Sequence, residues 1–171
     1  MRSEHLTHAV ILAGAALWCM LILAAPLFTA TNAAPLGALV YAFFHPVCHQ
    51  IEARSFHVCG APLAVCARCA SIYFGFLAGT IVYPALRGAL RARASGRLLL
   101  AVALAPMAAE VLAEIAGISE FSNAVRAVTG AWFGICITAV ILPGAAEGAA
   151  ELFGRRRVDS VQPEKGLADA S

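Results

Sequence analysis

Four long apolar runs govern what this 171-residue chain can fold into. The first, His8 to Phe28, carries no charge, and the second, about Leu63 to Leu86, carries only Arg68 near its start. The third, Leu98 to Ala116, is interrupted by Glu110 and Glu114, and the fourth, about Asn123 to Ala146, by Arg126. Each approaches or exceeds the roughly 20 residues that a helix needs to cross a hydrocarbon core at about 1.5 Å per residue. Only 13% of the residues are charged, about half the share of a soluble domain, and the mean hydropathy is +0.80. A soluble fold of this size could not bury so much apolar surface. The expected fold class is all-α, an integral membrane four-helix bundle forming one transmembrane domain over residues 1–154. Ala34 to Phe44 is apolar but too short to span, so it reads as an interfacial or re-entrant helix between spans one and two.

The apolar core of the first run exceeds the roughly 7–15 residues of a secretory signal, so it is expected to stay as a span. Arg87, Arg91, Arg93 and Arg97 lie between runs two and three, Arg155, Arg156 and Arg157 follow run four, and Arg2 precedes run one. With four spans all three segments fall on one side, which the positive-inside rule makes the cytoplasm. The expectation is a multi-pass cell-membrane protein with both termini cytoplasmic, and with residues 29–62 and 117–122 facing outward. The tail, residues 155–171, opens basic and continues from Val158 as a short polar segment with the composition of disorder. The net charge of +2 gives no nucleic-acid signal, because the arginines set topology and their partner is the lipid bilayer. Gly75-x-x-x-Gly79 and Gly130-x-x-x-Gly134 are small-residue spacings that let two membrane helices approach closely.

Between residues 43 and 75 the chain gathers four of its six cysteines and three of its five histidines. Cys66 and Cys69, three apart, share one face of a helix, with Tyr73 a turn further along the stripe. Cys48 and His49 lie ahead of them across a loop. Together these supply four ligands, the number a tetrahedral zinc site takes. Cys-x-x-Cys is equally the spacing of dithiol oxidoreductases, and an outward-facing site lies where thiols can pair. Arg68, between the two cysteines, would favour their thiolates in either use. Cys19 and Cys136, alone within runs, read as buried core. His5 and His8 read as solvated, and His45 and His57 as spare ligands or interfacial residues.

Glu110 and Glu114 are four apart and therefore share a face of span three. A lone carboxylate in a bilayer costs on the order of 2–3 kcal/mol, so such groups face the bundle interior and pair. Arg126, near the outer start of span four, is the expected partner of one of them. The cysteines, glutamates and arginine all reach the same outer third of the bilayer, which points to a pocket.

The stretches "PVCHQIEARSF", "VCARCASIYFG" and "SNAVRAVTGAWFG" resemble the domain of unknown function 2085 family of prokaryotic predicted membrane proteins. The resemblance covers about residues 40 to 137. It implies that Cys48, His49, Gln50, Arg54, Ser55, Phe56, Cys66, Arg68, Cys69, Tyr73, Gly75, Asn123, Arg126 and Gly130 belong to the family pattern. Ala70-Ser71 stands where a threonine–glycine pair is usual, and Glu110 where an aspartate is usual. Cys59 falls outside the pattern.

The leading expectation is a zinc site with Cys48, His49, Cys66 and Cys69 as ligands. Gln50, Arg54, Arg68, Tyr73, Glu110, Glu114, Asn123 and Arg126 would form its polar surround. The competing expectation is a membrane thiol–disulfide oxidoreductase using Cys66 and Cys69 and exchanging electrons with a quinone. A small transporter is a third, since buried charges can line a path, although four short spans would then need a homo-oligomer. The residues do not name a substrate.

Overall fold

A computed structural model describes residues 2–31, 33–93 and 96–161. It contains α1 (Arg2–Ala30), α2 (Ala34–Phe44), a 3-10 turn (Glu52–Arg54), β1 (His57–Val58), β2 (Ala61–Pro62), α3 (Ala67–Arg93), α4 (Gly96–Ile115) and α5 (Asn123–Val161). Four stretches are long and apolar enough to cross a membrane: Glu4–Ala30, Ala67–Gly88, Gly96–Ile115 and Asn123–Ala149. The all-α membrane architecture and the short extra helix are both present. The last helix continues through Val161, and residues 162–171 lie outside the described part.

The bundle is organised around α3 and α5. Gly75 and Gly79 on α3 face Ala131, Ile135 and Thr138 on α5, and Gly130 and Gly134 on α5 face Arg68, Ile72 and Phe76 on α3. A methyl group on Gly75 would stand 2.5 Å from the Ala131 carbonyl oxygen, so only glycine permits this separation. Dispersion between closely apposed backbones holds such pairs together where lipid offers no hydrophobic drive. α1 packs on both central helices, while α4 lies against α5, where Trp132 Nε1 donates to the Val102 carbonyl at 3.1 Å.

α2 folds straight back on α1. Gly37 lets it sit against the end of α1, where a Cβ would come within 2.6 Å of the Thr29 hydroxyl. Eleven residues rise only about 16 Å, half a bilayer core, so α2 cannot span.

Two expectations change. Span two was expected from about Leu63, yet the helix begins at Ala67. Leu63, Ala64 and Val65 are buried as irregular chain, with the Leu63 N–H bonded to the Phe56 carbonyl and the Ala64 N–H to the Ile22 carbonyl of α1. Apolarity there reports core packing and not a helical turn in lipid. His8, expected to be solvated, places Nε2 2.9 Å from the Thr80 carbonyl oxygen. Pro84 explains the contact: it lacks the N–H that would bond Thr80 within α3, and the histidine donates in its place.

Candidate metal centre

α3 starts at a sulfur. Cys66 occupies the cap position, and its carbonyl accepts the first intrahelical bond from the Ala70 N–H at 2.9 Å. Its side chain takes the place usually held by a serine or aspartate oxygen, beside the backbone N–H groups of Cys69 and Arg68. Cys66 stands just ahead of the spanning segment. Its thiol is pushed down to about 5, first by the hydrogen bond from the Cys69 thiol. Burial opposes that shift, and the Cys69 amide, the Cys48 thiol and the Arg68 amide reinforce it. That direction favours the thiolate, the form that binds metals.

Cys48 arrives from the other direction, in the turn after α2. Its Sγ accepts the Cys66 N–H at 3.2 Å and the Gln50 N–H at 3.5 Å. The turn is held by Gln50, whose backbone adopts φ +51°. That left-handed conformation is costly for a residue with a Cβ. The Gln50 side-chain amide compensates, donating to the Tyr41 and Ala64 carbonyls at 2.8 Å each. It ties the end of α2 to the irregular segment leading into α3 and fixes Cys48 opposite the Cys-x-x-Cys pair.

As a result the sulfurs of Cys48, Cys66 and Cys69 all lie within 4.8 Å of one another. A tetrahedron with Zn–S arms of about 2.3 Å has edges of about 3.8 Å, a contraction that small rotamer changes supply. His49, expected as the fourth ligand, is not among this group. It is exposed on the wall of the same cleft, since neighbouring side chains leave the backbone in different directions. Among the described residues, the group of possible ligands is these three sulfurs. Cys59 lies away from the site: with Gly60 it forms the two-residue turn between β1 and β2, both at positive φ, and it is exposed. His57 reaches only Glu52, at 3.7 Å, and His45 is exposed.

The charged residues converge on the other side of the sulfurs. Arg68 donates to Glu110 Oε1 at 2.6 Å and to Glu114 Oε2 at 3.3 Å. Glu114 Oε1 also accepts from Arg126 at 2.8 Å and pairs with Arg54 at 3.0 Å. The expected pairing of Arg126 with a span-three glutamate is present, with Glu114. Asn123 completes that corner, accepting from Arg126 at 3.3 Å and donating to the Ala53 carbonyl at 3.4 Å. Tyr73 lies on the apolar side, edge-on to Trp18 with ring centroids 5.6 Å apart. A cleft of about 210 Å³ opens beside the sulfurs, lined by Cys48, His49, Gln50, Arg54, Arg68 and Arg126 among others.

One participant escaped the sequence reading. The Thr129 hydroxyl donates to Glu110 Oε2 at 2.8 Å, and its place one turn after Arg126 was the available signal.

A family model described as "Predicted membrane protein (DUF2085)" matches residues 48–153, more than half of the chain. An uncharacterised protein of Methanocaldococcus jannaschii is 36% identical over 108 residues, covering 63% of this chain and 69% of that relative. No solved structure matches. The three cysteines, Gln50 and the whole guanidinium–carboxylate network fall inside the matched segment. The chain belongs to the DUF2085 family of predicted membrane proteins.

Proposed function

We propose that the protein holds a soft divalent metal ion, zinc in the first instance, on Cys48, Cys66 and Cys69 at one face of the membrane. The observation that carries this reading is the third sulfur. A dithiol alone needs only Cys66 and Cys69, yet the chain takes up a costly backbone turn at Gln50 to bring Cys48 within 4.8 Å of both. Charge supports it too. Three thiolates around a divalent ion carry one negative charge, and three arginines against two glutamates leave one positive charge beside them. The assembly is then neutral, which suits a site at the edge of a low-dielectric bilayer. The fourth position is left to water, to His49 after a side-chain rotation, or to a ligand from the cleft. By the arginine distribution the site faces outward, with both termini in the cytoplasm.

One feature favours a second reading. Cys66 is a low-pKa thiol at a helix N-terminus, three residues ahead of another cysteine, as in dithiol oxidoreductases. The two readings part on Cys48. Cys48→Ser, Cys66→Ser and Cys69→Ser should each abolish bound zinc in purified protein, because a serine hydroxyl is a poor zinc ligand, and Cys59→Ser should retain it. Metal loss only in the Cys59 variant would refute this ligand set. Unchanged dithiol redox chemistry in a metal-free Cys48 variant would favour the oxidoreductase.

A further inference from the structure

The cleft beside the sulfurs is built for more than water. Arg126 comes from α5 with its side chain only 9% exposed, and Arg68 comes from α3 at 22%. Both line the cleft, and the Nε–H of each is buried without a hydrogen-bond partner. A buried donor left unmade carries its full desolvation penalty, and donors on charged groups carry the largest. Glu110 and Glu114 occupy Nη2 of Arg68, and Glu114 that of Arg126, so those carboxylates do not satisfy either Nε–H. At the rim stands Arg54, 46% exposed, with a fork that can turn inward. The volume, about 210 Å³, is many times the roughly 10–15 Å³ that one water needs, and leaves room for a carboxylate or phosphate group.

The lining is also two-faced. Val47 and Ile51 belong to it, and they are 49% and 46% exposed at the mouth. The buried charge of Arg68 and Arg126 therefore sits inside, while the mouth mixes these apolar side chains with Arg54 and His49. That order matches an anionic head carried on an apolar body, and it equally admits a small free anion.

We propose that this cleft receives an oxyanion, a carboxylate or phosphate group, which binds the metal's fourth position through one oxygen and the guanidiniums of Arg54, Arg68 and Arg126 through the others. This rests on the metal reading above and adds the ligand class to it. Planar guanidiniums match carboxylate and phosphate geometry in a way a lysine would not. The metal–arginine assembly, neutral before binding, becomes singly negative with a carboxylate or phosphodiester and up to doubly negative with free phosphate, with the excess on the side where Arg54 meets solvent.

Cobalt substitution tests both layers separately. Full-length protein in dodecyl maltoside, loaded with Co²⁺, should show thiolate-to-cobalt charge-transfer absorption together with ligand-field bands. Absence of the charge-transfer band would sink the metal reading itself. With that band present, acetate or inorganic phosphate should shift the ligand-field bands saturably, while chloride at equal ionic strength should not. Arg54→Gln, a rim substitution that removes the half-exposed Arg54–Glu114 contact but leaves the Arg68 and Arg126 pairs in place, should weaken the anion's apparent affinity about tenfold, the loss of one charge-assisted hydrogen bond. A second arm adds phosphatidylglycerol to the micelles. A shift with that lipid and none with the free anions assigns the oxyanion to a lipid head; the reverse assigns it to a soluble species. Bands unmoved by acetate, phosphate and phosphatidylglycerol, or moved equally in wild type and Arg54→Gln, would overturn the proposal.

Discussion

Glu110 is the most deeply buried charge among the described residues, with its side chain 3% exposed and its two oxygens divided between Arg68 and Thr129. Its place on α4 makes Arg68, the arginine between the Cys-x-x-Cys sulfurs, dependent on a helix that contributes no sulfur. Removing one partner of a buried ion pair costs about 3–5 kcal/mol, because the other charge is left without compensation. Glu110→Ala should therefore lower the unfolding midpoint in detergent far more than Arg97→Ala, which removes an exposed charge and costs under about 0.5 kcal/mol. Equal midpoints for the two variants would show that Arg68 finds another partner. At this scale the sequence was informative about identity and incomplete about geometry. Two carboxylates four apart announced a buried pair, but whether Arg68 or Arg126 met Glu110 depends on how α3 and α5 rotate about each other. Similarly, Cys48 and His49 looked equivalent as neighbours, and only the turn at Gln50 decides that Cys48 points inward.

Among the elements, the α3–α5 crossing determines everything else. Arg68 is at once the second residue of α3, two after its cap, and a neighbour of Gly130, whose absent side chain leaves room for the Arg68 carbonyl. The interface glycines thus set the distance from the sulfurs to Arg126. Gly134→Leu would drive a branched side chain into the Ile72 backbone, which cannot yield as a flexible side chain could. Folding in detergent should fail or weaken by at least about 1–3 kcal/mol, and bound metal should fall with it. Gly144→Leu, at a position with open space around its Cβ, should do neither. Identical behaviour of the two variants would remove the crossing from the account. The four spans and both glycine spacings were legible because bilayer length and close approach leave direct marks in sequence. The start of α3 was not, since buried loop residues such as Leu63 and Val65 are as apolar as lipid-facing ones. The short hairpin from His57 to Pro62 was hidden too, because two-residue strands carry no periodicity.

The whole molecule presents its two ends differently. One carries the sulfurs, the hairpin and the charged cleft; the other carries the start of α1, the end of the α3 span and Arg87. If the arginines orient the chain as argued, Cys59 in its exposed hairpin turn faces outward. An impermeant maleimide should then label it on sealed right-side-out vesicles, with the label lost in Cys59→Ser, and a reporter fused after residue 157 should read cytoplasmic. Labelling only after the vesicles are opened would invert the molecule and place the sulfurs on the reducing side.

The central claim is that three converging thiols hold a metal ion, and metal analysis tests it most directly. Protein purified in detergent without chelator should carry about one zinc per chain, and the thiols of Cys48, Cys66 and Cys69 should become reactive only when a chelator removes it. Metal-free protein in which two thiols appear only after reduction would contradict the account and leave a Cys66–Cys69 disulfide in its place.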